Sequence, residues 1–333
     1  MDPLAADSFR SSPIRSVAEA AALTVWDVGA RGGIDGALAP FAWCSGAVAF
    51  EPDPVAAEAL RRSGRGPWKR LDVVEAAIAG SDGRRTLQVT ADPIGSSLLA
   101  GRDDVARRYG VVPLFDVTKR VDVQTMTLAT ASGTHSLTPP AFLKLDVEGV
   151  ELEVLRGAGG LLGDVVAIKT EAAFLPSRDD QPMAWELLGW LAERGFALMD
   201  VVGACHWRRD NVACGPYAAR QGGWSRGRLA QADLILLRDR DALDDDGDAT
   251  SPAMRTALVA VALGYLDHAR DILDRPRAAA GFYARAGVFH TPVLADIAKA
   301  AGRRDSGRAI RARLRDLIPL LRSRFGGVPL RRR

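Results

Sequence analysis

Cysteine is scarce. Cys44, Cys205 and Cys214 are the only three in 333 residues, too widely spaced for a disulfide framework or a paired-cysteine zinc site. The four histidines, His135, His206, His268 and His290, show no metal-ligand spacing. Long apolar runs are missing too: no stretch reaches membrane-spanning length. Residues 1–20 place charges where a signal peptide needs a continuous apolar core. These absences predict a cytoplasmic protein with no membrane span. A net charge of +3 lacks the concentrated basic face of a nucleic-acid binder. Aromatics make up only 6%, and the dominance of Ala, Gly, Val, Leu and Arg suits α/β packing better than a β-sandwich.

What is present is 47% apolar composition, enough for one core of about 200 residues plus a smaller piece. Short apolar runs ending near Asp, Glu or Gly alternate with amphipathic segments, the pattern of βαβ units around a parallel sheet. Strands are expected at 23–28, 47–50, 73–78, 141–145 and 165–169, with an edge pair at 197–202 and 234–237. Helices are expected at 54–62, 150–162 and 185–194. The division that follows is a helical lead-in at 1–22, an α/β domain at 23–238, and an acidic linker at 239–252 ending in Ser251-Pro252. Beyond it, an Arg-rich helical appendage at 253–333 has helical spacing over 254–273 and 291–325. Gly215 to Gly227, with Tyr217, Trp224 and Arg226, has the make-up of a substrate-covering lid.

The first strand ends in Asp27-Val28-Gly29-Ala30-Arg31-Gly32-Gly33. Glycines let backbone approach a ligand closely, and a helix beginning beyond Gly33 would aim amide donors at a ligand carboxylate. Asp27 suits a ligand ammonium. Alone, this is as readily an ordinary strand-to-helix turn. The second strand ends in Phe50-Glu51-Pro52-Asp53-Pro54, a carboxylate about two dozen positions on, where α/β nucleotide binders hold two ribose hydroxyls. Asp53 reads as a helix cap. Arg31 occupies the position where a dinucleotide loop needs its second glycine, so the pattern disfavours a nicotinamide cofactor. Asp146-Val147-Glu148-Gly149-Val150-Glu151 closes a central strand, where the ligands of open parallel sheets bind. Asp146 is the candidate general base, with Glu148 and Glu171 as competitors; a cap and first helical turn would use the same acids.

Taken in order, Asp27 to Gly33, Phe50-Glu51-Pro52, Phe142 to Ala158 and Thr170-Glu171 resemble the FkbM family of class I methyltransferases. That resemblance implies a Rossmann-like seven-stranded sheet with helices on both faces and S-adenosyl-L-methionine as cofactor. It implies that Asp27, Gly29, Ala30, Arg31, Gly33, Glu51, Glu75, Ala76, Ala77 and Asp146 surround the cofactor: Glu51 on the ribose, residues 75–77 at the adenine. It places catalysis at Asp146, Glu148 and Glu171. Ser96-Ser97 fall in a Ser-rich family segment at the active-site rim. The acceptor implied is a hydroxyl on a sugar, glycan or secondary metabolite. No metal is expected, although Asp146 and Glu171 at adjacent strand ends leave a shared divalent cation open. A homodimer also stays open. The other readings are a catalytically silent partner protein on the same fold and a nicotinamide-dependent oxidoreductase.

Overall fold

The computed structural model describes residues 9–209 and 225–303. The expected lid at 215–227 and the basic tail from 303 onward therefore lie almost wholly outside the described residues. Seven strands form the main sheet: β1 (Thr24–Val28), β2 (Gly46–Phe50), β3 (Arg70–Val74), β7 (Phe142–Leu145), β8 (Ala167–Ala173), β9 (Phe196–Trp207) and β10 (Arg228–Arg238). Their order is β3-β2-β1-β7-β8-β10-β9, all neighbours pairing in parallel except β10, which is antiparallel to both β8 and β9. The expected Rossmann-like seven-stranded sheet is present. β1 is buried along its whole length, as a central parallel strand covered on both faces must be. The strand order reverses between β1 and β7, which opens a crevice at their carboxyl ends.

One face of the sheet is covered by α4 (Leu128–His135), α5 (Glu151–Arg156) and α6 (Ala184–Ala192), packed on Trp26, Val28, Leu143, Leu145, Ile168 and Leu236. The other face is covered by α1 (Ile14–Ala21), a 3-10 turn (Gly36–Phe41) and α7 (Pro252–Leu263), packed on Val25, Ala47, Phe142, Ala167 and Leu237. In α7 only Pro252 and Arg255 escape burial, the signature of a helix enclosed on all sides. α8 (Leu266–Leu273), α9 (Pro276–Ala286) and a helix described from 290 to 303 pack behind it.

The expected C-terminal helices are present over 253–303 and pack on the sheet's own core. The acidic segment at 239–252 is pinned, not free. Asp245 accepts the backbone N–H groups of Arg277 and Ala278 at 3.0–3.1 Å, and Ser251 caps α7 through the Met254 N–H. The helical spacing expected over 254–273 is present as two helices, with a break at Gly264.

The expected strand at 73–78 is also split. β3 ends at Val74, and Ala77–Ile78 forms β4 of a second sheet, β4-β6-β5, with β5 (Gly83–Thr90) and β6 (Val117–Met126). α2 (Pro54–Ser63) and α3 (Asp103–Tyr109) complete the elements. No helix among the described residues is long and apolar enough to cross a membrane.

A Cβ placed on Gly281 of α9 would stand 1.9 Å from the Gly247 carbonyl oxygen. Gly281→Val is therefore expected to lower unfolding free energy by about 1–3 kcal/mol, the usual cost of overpacking. The loss should appear as a shift of one cooperative denaturation transition. Two resolved transitions would contradict a shared core.

Candidate active site

The crevice at the β1–β7 reversal is built around buried charge. Asp27, the fourth residue of β1, is 1% exposed. Its Oδ2 accepts the Asp35 N–H at 2.7 Å, and its Oδ1 stands 3.1 Å from the Lys144 ammonium of β7. That second contact is a buried ion pair that compensates Oδ1 inside the protein. Burial raises the Asp27 carboxyl above its ordinary value against the pull of Lys144. Lys144 itself is lowered by burial, but Asp27 and Asp146 together outweigh this and raise it. Its ammonium also donates to the Gly29 carbonyl at 3.0 Å and lies 3.4 Å from Asp146.

The turn after β1 is forced by proximity. Gly29 has φ +82°, and a Cβ there would sit 2.0 Å from the Asp146 carbonyl oxygen, so only glycine lets the two strand ends meet. Gly29 and Ala30 N–H both donate to the Phe50 carbonyl at 3.1 Å, which links this turn to the end of β2. The helix expected beyond Gly33 is not formed. A 3-10 turn capped by Asp35 stands there instead, holding Pro40 inside it. The Asp35 N–H points back at Asp27, leaving no array of helix-end donors for a ligand carboxylate.

Glu51 is buried, 4% exposed, and raised above its ordinary value by burial. One oxygen accepts the Asp53 N–H at 2.9 Å. The side chain lines a cavity of about 670 Å³ together with Gly29, Arg31, Ala76, Ala77, Ser96, Ser97, Asp146, Glu148 and Glu171. Asp53 caps α2 through the Val55 N–H, as its place before proline suggested. Glu75 does not line the cavity; it is exposed and faces Arg61 at 3.5 Å. Ala30 is buried beneath the turn, and Gly33 lines a smaller adjoining cavity of about 250 Å³ with Asp35, Lys169 and Asp233.

Three carboxylates converge on the cavity floor. Asp146, Glu148 and Glu171 each bring an oxygen within 4.8 Å of the others. Asp146 is nearly half exposed. Burial pushes Glu148 up to about 7 despite Arg178, whose guanidinium meets it at 2.6 Å. Glu171 is raised well above the usual range, first by burial and then by Glu148, Glu151, Asp146 and Asp233. Its hydrogen-bond partner is Gln231, at 2.9 Å. Like charges this close cannot all ionise without a proton or a cation between them. The donor set of three carboxylate oxygens would accept a divalent cation, and a shared proton serves the same electrostatic need.

Glu148 adopts φ +58°, a conformation costing a non-glycine residue about 1–3 kcal/mol. It is held from both ends. Its carbonyl accepts the Ser97 hydroxyl at 2.7 Å, and Arg178, only 5% exposed, ties its carboxylate to the Gly95 carbonyl. Glu151, buried, accepts the N–H groups of Val147 and Gly149 and so shapes the turn rather than the cavity.

With this geometry in view, the family model described as the methyltransferase FkbM domain matches residues 27–198. The chain belongs to that family. The matched span runs from Asp27 through β1, β2, β7 and β8 into β9. Similar solved structures include the C-terminal domain of precorrin-6Y C5,15-methyltransferase from Rhodobacter capsulatus. It has 14% identity and a TM-score of 0.28, covering 68% of this chain and 86% of that one. Another is precorrin-6y C5,15-methyltransferase from Geobacter metallireducens GS-15, with 11% identity and a TM-score of 0.30, covering 68% and 87%. No curated protein sequence matches the chain.

Within this FkbM-family fold, sequence reasoning missed Lys144, Lys169, Arg178 and Gln231. Lys144 could have been found: it alternates with Asp146 along β7 and so shares a face with it. Lys169 is its register partner on β8 and binds Asp35 at 2.7 Å. Arg178 and Gln231 reach the site from loops and strands distant in sequence. His268 and His290 are engaged elsewhere, by the Arg238 carbonyl and by Asp274; His206 lies on β9.

The raised acids give a pH dependence with a definite sign. Glu148 and Glu171 hold protons in the folded state that the unfolded chain releases. Asp27, Glu51 and Glu151 are shifted the same way. Stability should therefore fall as pH rises from about 4.5 through about 7, because the native state binds more protons there. Urea denaturation at pH 5, 6 and 8 should show this decline, reduced in Glu171→Gln. Rising stability over that interval would contradict the assignment.

Proposed function

We propose that this FkbM-family methyltransferase uses S-adenosyl-L-methionine to methylate a hydroxyl oxygen on a small molecule, sugar or glycan, in the cytoplasm. The observation that carries the reading is the pair of acids at neighbouring strand ends. Asp27, ion-paired to Lys144, lines the smaller cavity with negative charge, and Glu51 turns a buried carboxylate into the adjoining one. The first fits a ligand ammonium. The second fits two ribose hydroxyls. Ala76 and Ala77 give the same cavity a small apolar wall suited to a purine. These residues fit the cofactor, whose sulfonium supplies an electrophilic methyl group.

What the chain must add is alignment and a destination for one proton. Asp146 is the most accessible of the three acids, and Lys144 at 3.4 Å fixes its carboxylate. It accepts the hydrogen bond of the incoming hydroxyl and takes its proton at a carboxylate oxygen. Asp146, nearly half exposed, passes that proton on to solvent, while Glu148 and Glu171 keep theirs and are held toward the cavity by Arg178 and Gln231. No metal is needed for these steps.

Asp146→Asn should lower methyl transfer to a true acceptor by about 10²–10⁴-fold, the range for general-base loss, and leave S-adenosylhomocysteine affinity in place. EDTA should leave turnover unchanged. Unaltered turnover in the variant would remove Asp146 from the mechanism. Turnover abolished by EDTA and restored by magnesium would assign the three acids to a cation.

A further inference from the structure

Among the described residues, the second sheet has an apolar face with no core behind it. Leu87 and Val89 of β5 and Lys119, Val121 and Val123 of β6 share one face by alternation, in the register Leu87↔Val121 and Val89↔Lys119. All five line the 670 Å³ cavity. The four aliphatic residues are half-buried, and none packs into a hydrophobic cluster formed by the described residues. The opposite face is polar, with Thr86 hydrogen-bonded to Asp122 at 3.1 Å. Across the mouth, Pro93 and the 69%-exposed Ile94 also line the cavity.

This wall runs between two fixed points. At one end Thr125 of β6 pairs with Ala77 of β4, beside the expected purine position. Val121 is four residues and Lys119 six residues further along β6, roughly 14 and 20 Å at the usual strand rise, farther than one purine ring reaches. At the other end Gln88 of β5 bridges to Ser97, whose hydroxyl donates to the Glu148 carbonyl. The apolar surface therefore leads from the purine position to the three acids.

We propose that Leu87, Val89, Val121 and Ile94 seat the apolar body of the methyl acceptor, an aliphatic or aromatic metabolite rather than a glycan, with its hydroxyl at Asp146. Lys119, paired with Val89 at the Gln88–Ser97 end of the wall, offers a cationic side chain for an anionic substituent near the acceptor's hydroxyl. The assignment rests on the cofactor reading above. A sugar-binding wall would present hydrogen-bonding groups, and this one presents aliphatic carbon on both strands.

The full chain is titrated with 8-anilinonaphthalene-1-sulfonate, an apolar ring system with an anionic group, at saturating S-adenosylhomocysteine. Binding of the homocysteine compound is followed separately by calorimetry. Fluorescence enhancement should persist with the site filled. It should weaken by about tenfold or more in Val121→Asp and in the milder Leu87→Ser, since a charged or polar group disrupts apolar seating. Both variants should retain wild-type affinity for S-adenosylhomocysteine, which also shows that they are folded. Displacement of the probe by S-adenosylhomocysteine would give the wall to the purine and overturn the proposal, as would probe binding indifferent to both substitutions. Failure of the folded wild type to bind S-adenosylhomocysteine at all would overturn the cofactor reading, and this one with it.

Discussion

The buried contact between Asp27 and Lys144, 3.1 Å across the β1–β7 seam, is the constraint on which the site depends. Attraction at that distance amounts to several kcal/mol, largely offset by the cost of taking both charges out of water. Its value is in placement. Lys144 touches Asp27, Asp146 and the Gly29 carbonyl at once, so one ammonium sets the spacing between the turn after β1 and the acid after β7. Gly29 makes the arrangement sterically feasible, because any side chain there would strike the Asp146 carbonyl.

From that seam the rest follows in two directions. Toward β2, the Phe50 carbonyl receives the N–H groups of Gly29 and Ala30 and brings Glu51 beside the turn. Toward β8, the register places Lys169 next to Lys144 and carries Glu171 to the cavity beside Asp146. Parallel strands that end at one level put acids from separate sequence segments around one cavity. The native state tolerates them through two lysines, Arg178 and bound protons.

Much of this was legible because parallel strands are short, apolar and end in recognisable turns. Asp27, Glu51, Asp146, Glu148 and Glu171 were all found as acids closing apolar runs, and the structure brings all five to the same pair of adjoining cavities. The second sheet was only half seen. Ala77 fell inside an expected strand, but β5 and its partner β6 are separated by more than two dozen residues, and alternation around Lys119 and Arg120 gives a weak strand signal. The single strand expected at 73–78 was split because apolar continuity does not reveal that Ala77 changes partners. How closely the 253–303 helices pack on the sheet was not legible, because the backbone N–H groups that Asp245 accepts lie over thirty residues away. Arg178 had no motif to announce it.

The central claim is that Asp27 and Glu51 hold one adenosyl ligand between neighbouring strand ends. Calorimetric titration of S-adenosylhomocysteine into the wild type and Glu51→Ala tests it directly. Saturable one-to-one binding by the wild type, weakened about tenfold or more when the Glu51 carboxylate is removed, is the expected result. A folded wild type that takes up no adenosyl ligand, or a Glu51→Ala variant that binds it equally well, would contradict the account.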